Sequence, residues 1–169
     1  MNLKHKDYIK SLILILVFFI NSVVLIAGPF SADLRDGFLI QDLGSGNIRV
    51  NQIDLVTGTR VKVQELAVGG SGNNAYGYNP KDNYIYGIQV TAATGNDTYN
   101  LVSIEPTATG FTFTKKPITG LVHNIDNGMF IGDFDKDGNM YVAGDGSDGS
   151  AGGPIFKIII NTDGSGSAT

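Results

Sequence analysis

The sequence predicts an all-β protein, specifically a partial β-propeller-like array of about three antiparallel blades, preceded by an N-terminal apolar signal helix. Three observations lead to this prediction. A turn motif centred on aspartate occurs three times, segments rich in β-branched and aromatic residues follow each copy, and no apolar pattern with helical spacing occurs after residue 28. We therefore expect short strands joined by tight turns.

The turn motif is clearest in GDFDKDGNMYVAG, Gly132–Gly144. An alignment without gaps to GYNPKDNYIYGI, Gly77–Ile88, matches a lysine, an aspartate and a tyrosine in each copy. The matched pairs are Lys81 with Lys136, Asp82 with Asp137, and Tyr86 with Tyr141. A shorter copy covers Arg35–Ile40. Each copy places Gly or Asn after Asp, and tight hairpins need such residues because their central positions adopt positive φ. Each copy thus predicts a turn that leads into a strand.

A second segment follows each turn motif at a similar distance. Ile53–Gly58 corresponds to Ile104–Gly110 with one insertion, and to Ile158–Gly164. The aspartates of the three turns stand at positions 36, 82 and 137, so the repeats are 46 and 55 residues apart. Repeats of this length with about four strands each are typical of propeller blades or a related β-array.

The N-terminal segment has the order of a secretory signal peptide. Lys4, Lys6 and Lys10 precede the apolar run Ser11–Gly28, and small residues follow it. We therefore assign residues 1–32 to a signal peptide and residues 33–169 to the propeller-like domain, with an uncleaved membrane anchor as the alternative for the first segment. The third repeat stops soon after its strand at 155–160, so we expect the domain to be truncated at its C-terminus.

Charge and cysteine content exclude several classes of function. Without residues 1–32, which hold three lysines and Asp7, the formal charge changes from -4 to -6. Nucleic acids and anionic lipids are bound through clustered Lys and Arg, which this acidic domain lacks, so neither is an expected partner. The absence of Cys removes disulfides, thiol catalysis and thiolate metal sites. Stability must then come from the packing of strands.

Seven strands can be predicted from composition and from their Gly, Asn, Asp and Thr boundaries. They are Ile48–Leu55, Arg60–Leu66, Tyr84–Val90, Tyr99–Glu105, Phe111–Lys115, Met140–Ala143 and Pro154–Ile160. In RVKVQEL, apolar and polar residues alternate, which indicates an antiparallel sheet with one buried and one wet face. Three Gly-, Ser- and Asn-rich stretches are predicted to be solvated connections, namely Gly69–Asn74, Thr91–Asp97 and Gly144–Gly153.

Asp133, Asp135, Asp137 and Gly138 give the pattern D-x-D-x-D-G, which opens many calcium loops because alternate carboxylates converge on a hard cation. Two further ligand positions of such loops are occupied by Tyr141 and Gly144. The alternative is that Asp137–Asn139 forms a hairpin and that Asp133 and Asp135 are its solvated neighbours. The three aspartates are therefore weak calcium candidates.

The sequence contains no other convincing catalytic or cofactor motif. His123 is the sole histidine of the exported part and has no nucleophile elbow to accompany it, so a loop role is favoured over catalysis. The match of Gly70, Gly72 and Ala75 to a dinucleotide-binding turn lacks the helix that should follow it. The tyrosines alternate at strand spacing and are predicted to pack between blades. They stand at positions 76, 78, 84, 86, 99 and 141.

Four segments resemble a known family. NNAYGYNPKDNYIYG, NLVSIEPTATG, ITGLVHNIDNGMFIGDFDKDGNMYVAG and IFKIIINTDGSG are similar to an uncharacterised propeller-like repeat domain of secreted and surface-attached bacterial proteins. The resemblance covers nearly everything after the signal peptide. It implies extracellular placement, often ahead of immunoglobulin-like repeats or a sorting segment, and supplies no catalytic residues.

We therefore expect an exported, non-enzymatic binding or scaffold module without a cofactor, whose partner is an extracellular ligand or further domains of the same protein. Membrane contact is expected only through an uncleaved N-terminal segment. One alternative is a propeller hydrolase or lactonase-like enzyme that uses a divalent metal. Another is a calcium-stiffened structural domain. If the chain ends at Thr169, its last sheet should leave an apolar face uncovered and favour self-association.

Overall fold

A computed structural model describes residues 29–30, 36–91, 98–121, 129–144 and 153–169. These residues form eleven strands and no helix, which confirms the all-β prediction for the described part of the chain. The strands are β1 (Asp36–Gly44), β2 (Asn47–Asp54), β3 (Arg60–Ala67), β4 (Gly72–Asn79), β5 (Tyr84–Thr91), β6 (Thr98–Pro106), β7 (Phe111–Thr119), β8 (Met129–Phe134), β9 (Asn139–Gly144), β10 (Ile155–Ile160) and β11 (Gly166–Ala168).

The predicted signal helix lies outside the described residues, apart from residues 29–30. None of the described segments is a helix with the length and apolarity needed to span a membrane.

The strands form three successive antiparallel units. The first unit is the sheet β1-β2-β3, and the middle and third units are β4-β5-β6-β7 and β8-β9-β10-β11. The middle and third units join in one eight-stranded sheet through a short parallel pairing of β7 with β11, in which Gly166 lies opposite Ile118 and Ser167 opposite Thr119. Successive units of similar connectivity make the fold of the described residues propeller-like.

The repeat found in the sequence matches these units. The motif at Asp82 lies in the β4–β5 hairpin and the motif at Asp137 lies in the β8–β9 hairpin. Within them, Asn83 and Gly138 occupy matching positions and have φ of 63° and 81°. This positive φ explains why both copies need Asn or Gly at that position. In the first copy, Asp36 and Gly37 lie within β1, where Gly37 pairs with Ile53 and does not have positive φ, so the turn predicted there is wrong.

The two adjacent hairpins lie beside each other. The Lys81 ammonium donates a hydrogen bond to the backbone carbonyl of Asp137 at 3.2 Å. A Cβ added to Gly138 would lie 3.0 Å from Cδ of the same lysine. Strands β4 and β8 also approach each other closely, since a Cβ on Gly77 would lie 3.1 Å from the Asp133 Cα. The bends of the middle and third units therefore occupy equivalent corners of successive units.

The middle unit is covered on both faces. Ile85, Val102 and Ile104 face the first unit and pack with its Ile48 and Val50. A second cluster lies between the middle and third units and contains Tyr86, Ile88, Leu101, Met140, Val142 and Ile158. Because side chains of a strand alternate between faces, β5 is buried at six successive positions, 85–90.

One predicted loop is wrong in part. Gly69–Asn74 was expected to be a solvated connection, but β4 begins at Gly72 and Asn73 is buried. The Asn73 side-chain amide donates to the Gly69 carbonyl at 3.1 Å, and its backbone N–H donates to the Asp42 carboxylate at 3.1 Å. Hydrogen bonds to neighbouring segments thus hold a stretch whose composition is typical of a loop. The interiors of the other two predicted loops, residues 92–97 and 145–152, lie outside the described residues.

Candidate functional site

Asp135 organises the hairpin between β8 and β9, which we call the third hairpin. One carboxylate oxygen accepts hydrogen bonds from the backbone N–H groups of Asp137 and Asn139, both at 2.9 Å. The other oxygen accepts from the Asn139 side-chain amide at 2.8 Å and from the Tyr141 hydroxyl at 3.3 Å. The alternative to calcium binding treated Asp135 only as a solvated neighbour of the turn, whereas its carboxylate accepts hydrogen bonds that close the turn.

These hydrogen bonds also favour the ionised form of the Asp135 carboxylate. The side-chain and backbone hydrogen bonds from Asn139, aided by those from Asp137 and Tyr141, lower the pKa of Asp135 to about 2 from its ordinary value of 3.8. Donors that point at a carboxylate favour its ionised form. Asp135 is therefore an anion in the hairpin at any physiological pH.

The other two calcium candidates have separate partners. The Asp133 carboxylate accepts a hydrogen bond from the backbone N–H of Phe134 at 2.8 Å, and Asp137 pairs with Lys136 at 2.8 Å. In the described part of the chain, no group of three or more His, Cys, Asp or Glu side chains is placed to hold a metal ion. Calcium binding at Asp133, Asp135 and Asp137 stays a prediction. His123 lies outside the described residues.

A cavity of about 830 Å³ lies where β1, β4 and β8 meet. Its walls are mainly aromatic and aliphatic, and include Phe30, Phe38, Tyr76 and Phe130. Two of its polar groups bind each other, since the Gln52 amide donates to the Asp36 carboxylate at 2.6 Å. The cavity thus offers apolar contact and a satisfied polar pair.

Tyr86, the tyrosine of the repeated motif in the middle unit, packs against the third unit and binds the aspartate of its own bend. Its hydroxyl donates to the Asp82 carboxylate at 2.8 Å, and its ring centroid lies 5.6 Å from that of Phe134 in the third unit. Burial, followed by the hydrogen bond to Asp82, raises the pKa of Tyr86. Packing between units was predicted for this residue and is confirmed. The Asp82 carboxylate also accepts from the Tyr84 backbone N–H at 3.0 Å, so it has a structural role in the bend.

Matching positions of the repeat differ sharply in exposure. Leu39, Ile85 and Met140 occupy the same position of the motif, and their exposed fractions are 56%, 4% and 0%. At the next position, Tyr86 is 6% exposed and Tyr141 is 39% exposed. Side chains that a neighbouring unit buries in the middle of the array are therefore open at its two ends.

The outward sides of the first and third units form two apolar surfaces. The third end face includes Ile131, Tyr141, Ile155 and Ile159, and the first end face includes Leu39, Val61 and Val63. On the third end face, Ile131 pairs with Ala143 and Ala143 pairs with Ile155, so the three side chains form one row across three strands. Ile131 and Ile155 are 68% and 70% exposed. Among the described residues, this row of the last sheet is thus exposed, and self-association through it stays a prediction.

The sequence prediction missed most of this surface. β8 was not among the predicted strands, so Ile131 had no assigned face. One signal was available, because the ungapped alignment of the two longer motifs places matching residues on matching strands. Tyr141 and Met140 could therefore have been assigned to opposite faces of the third unit from the positions of Tyr86 and Ile85.

Comparison with solved structures gives a likeness of fold. Hydrazine synthase from Kuenenia stuttgartiensis superposes with a TM-score of 0.54 and 21% sequence identity. The match covers 77% of this chain and 38% of that one, so this chain spans well under half of the protein it resembles. At this identity the likeness concerns the fold alone.

No curated protein matches the sequence. A family model described as "Repeat of unknown function" (DUF6923) matches residues 38–163, which run from the first turn motif to the end of the third repeat. The match includes ten of the eleven strands in whole or in large part. The chain belongs to this family of repeats.

Proposed function

We propose that the chain is an exported, non-enzymatic module of partial β-propeller type that acts as a binding or scaffold domain by packing its end faces against further β-structure. The observation that carries this proposal is the contrast at matching positions, where Leu39 is 56% exposed while Ile85 and Met140 are 4% and 0% exposed. The repeat places apolar side chains at positions where a neighbouring unit packs. On the outward sides of the first and third units these side chains are exposed.

Simple energetics support an association role. Full burial of a leucine or isoleucine side chain stabilises a complex by about 1.5–3 kcal/mol relative to leaving it exposed. The row formed by Ile131, Ala143 and Ile155 presents two such side chains, one on each side of Ala143. Contiguous exposed apolar patches mark interaction surfaces on soluble proteins, and this row is part of such a patch with Tyr141 and Ile159.

The carboxylates of the described bends support a structural reading over a hydrolase or lactonase. A metal-dependent hydrolase directs several acidic or histidine side chains toward one point. Here Asp36 accepts from Gln52, Asp82 accepts from Tyr86, and Asp135 closes its own hairpin. Each of these carboxylates is thus committed to its own strand or turn. The same internal bonds of Asp135 favour a hairpin held by hydrogen bonds over one stiffened by calcium.

The proposed location and partners follow from the N-terminal segment and the charge. Lysines followed by an apolar run favour export, and the membrane would be touched only through that segment if it is not cleaved. The acidic remainder disfavours nucleic acid. The partner we propose is further β-structure outside the cell, belonging to the same protein or to another, with an extracellular ligand as a second kind of partner.

Single-cysteine labelling tests export and end-face engagement together, because the chain contains no cysteine of its own. Ile155→Cys places a thiol on the third end face. Thr109→Cys places one in the exposed turn between β6 and β7 of the middle unit and serves as the control. Intact cells that produce each variant are treated with a thiol reagent that does not cross membranes, and labelling is compared with that of the denatured chain.

We expect the Thr109→Cys chain to be labelled on intact cells and the Ile155→Cys chain to be protected. Failure to label the control would contradict export. Equal labelling of the two variants would contradict a scaffold role for the third end face. Protection that is lost after mild extraction of surface proteins would show that a partner, and not the chain itself, covers the face.

A further inference from the structure

The cavity where β1, β4 and β8 meet is built from equivalent positions of the three units. Phe30, Tyr76 and Ile131 all line it, and each precedes the aspartate of its own motif by the same number of residues. In the described chain, β1, β4 and β8 are the first strands of their units and are edge strands. The first strands of successive units thus converge on one space, as they do around the central channel of a propeller. Ile131 also belongs to the third end face and is exposed, so a ligand can enter beside β8.

The wall that β4 contributes is held in place by an unusual backbone. The pairing of β4 with β5 shifts register between Asn74 and Gly77, and Ala75 has φ of 56°. A bulge of this kind redirects the side chain that follows it. The ring of Tyr76 packs against the backbone of Gly87, where an added Cβ would collide with it. Tyr76 is therefore a fixed wall of the cavity.

The wall that β1 contributes combines aromatic rings with a carboxylate. The rings of Phe30 and Phe38 lie edge to face with their centroids 4.6 Å apart. Asp36 and Phe38 are two residues apart on β1, so their side chains lie on the same side of the strand. All three residues line the cavity.

The charge of the half-buried Asp36 is not compensated within the described part of the chain. Its carboxylate accepts a hydrogen bond from the Gln52 amide at 2.6 Å, but an amide is neutral and leaves further acceptor sites of the carboxylate open. No lysine or arginine among the described residues forms an ion pair with Asp36. The Lys62 side chain lines the same cavity, but its ammonium lies 5.2 Å from the centroid of the Phe111 ring and contacts that ring.

We propose that this cavity binds a small organic cation, whose apolar body contacts the aromatic walls and whose positive group pairs with Asp36. The inference goes beyond the proposed packing of the end faces and gives the extracellular ligand a site and a chemical class. The volume of about 830 Å³ suits a small molecule, since ligand cavities span about 300–1,000 Å³. Aromatic faces attract cations within about 6 Å, and the carboxylate supplies the opposite charge. A neutral ligand would gain little from Asp36, and an anion would be repelled by it.

A tryptophan reporter tests the proposal, because the chain contains no tryptophan of its own. Phe130→Trp places the reporter at an exposed position of the cavity wall, and Tyr141→Trp places one on β9, outside the cavity, as its control. The purified chains are titrated with benzyltrimethylammonium and with benzyldimethylcarbinol, which has nearly the same shape and no charge.

The carboxylate is tested by Asp36→Asn in the Phe130→Trp chain. Asparagine can still accept the hydrogen bond from Gln52, so the substitution removes the charge and little else. Asp163→Asn removes the same charge in the exposed turn between β10 and β11 and serves as the matched control. Circular dichroism checks that each variant is folded. The melting temperature of the unmodified chain with and without the cation checks that the tryptophan does not itself create the site.

We expect benzyltrimethylammonium to change the fluorescence of the Phe130→Trp chain to saturation and to leave that of Tyr141→Trp unchanged. It should also raise the melting temperature of the unmodified chain. Asp36→Asn should weaken binding of the cation by at least about tenfold, and Asp163→Asn by no more than about twofold. The uncharged carbinol should bind at least about tenfold more weakly than the cation, and Asp36→Asn should not alter its affinity.

Three results would overturn the proposal. If neither the fluorescence of Phe130→Trp nor the melting temperature responds to the cation, the site does not exist, and a response of the melting temperature alone would place binding elsewhere. Equal affinity for the two probes, unchanged by Asp36→Asn, would make the cavity a site for neutral apolar ligands. Equal weakening by Asp36→Asn and Asp163→Asn would assign the effect to the overall charge of the chain. Because the titration uses purified chains, its failure would leave the labelling test of export and of the third end face unaffected.

Discussion

Substitution at matching positions of the repeat should give unequal losses of stability. Ile85 and Leu39 occupy the same position of the motif, yet Ile85 is 4% exposed in the cluster between the first and middle units and Leu39 is 56% exposed. Truncating a buried isoleucine to alanine removes three methyl or methylene groups and leaves a cavity, which costs about 2–5 kcal/mol. Truncating the exposed leucine should change the free energy of unfolding by about 0.5 kcal/mol or less.

Urea unfolding of Ile85→Ala and Leu39→Ala measures this difference, provided that the chain is dilute enough to sediment as a single copy. The dependence of the free energy of unfolding on urea concentration should be the same for both variants, since neither changes the surface exposed on unfolding by much. Equal losses from the two substitutions would refute the reasoning. They would show that the first and middle units do not place the shared position in the environments described above.

Three further predictions concern the third hairpin. Gly138→Ala should lower the free energy of unfolding by about 1–2 kcal/mol because φ is 81° there, while Gly138→Asn should be milder because Asn83 adopts φ of 63° at the matching position; equal losses in urea unfolding would contradict this. The lowered pKa of Asp135 means that its contribution to stability is complete above its ordinary pKa of 3.8 and is lost as the pH falls toward about 2. The difference in melting temperature between the unmodified chain and Asp135→Asn should therefore shrink across that interval, and a constant difference would be evidence against the hydrogen-bonded carboxylate. Because the oxygens of Asp135 already accept four hydrogen bonds, added calcium should leave the melting temperature unchanged, and a rise abolished by Asp133→Ala would instead establish the calcium site.

The sequence predicted those elements whose signals are local. The bends at Asp82 and Asp137 were found because positive φ restricts the residue that follows, and the structure has Asn83 and Gly138 in that conformation. Strands such as β5 and β6 were found within a few residues of their ends, because β-branched and aromatic residues dominate them.

Other strands depend on their surroundings and could not be read from composition. β4 has the sequence GNNAYGYN and a register shift between Asn74 and Gly77, so neither its residues nor its periodicity indicates a strand. β11 is three residues long and is held between β7 and β10. Their stability comes from pairing and from packing between sheets, which no local pattern reveals.

The candidate site was predicted only in part, because the sequence pattern identifies the hairpin but not the hydrogen-bond partners of its carboxylates. D-x-D-x-D-G drew attention to the right hairpin, but several backbone and side-chain donors of the turn point at Asp135, which leaves Asp133 and Asp137 with other partners. A carboxylate that accepts from the N–H two residues later is a known turn device and was the available signal. Which apolar residues stay uncovered depends on the order in which whole units stack, and that order is a property of the assembled fold.

The central claim is that one β unit is used three times and that, within the described residues, the middle copy alone is covered on both faces. Thiol reactivity of three single-cysteine variants, Leu39→Cys, Ile85→Cys and Met140→Cys, tests it most directly, because the three residues share one position of the motif and the chain has no cysteine of its own. In the dilute single chain, the thiol at position 39 should react rapidly and those at positions 85 and 140 should react only through transient unfolding. Similar rates at all three positions would contradict the stacked repeat.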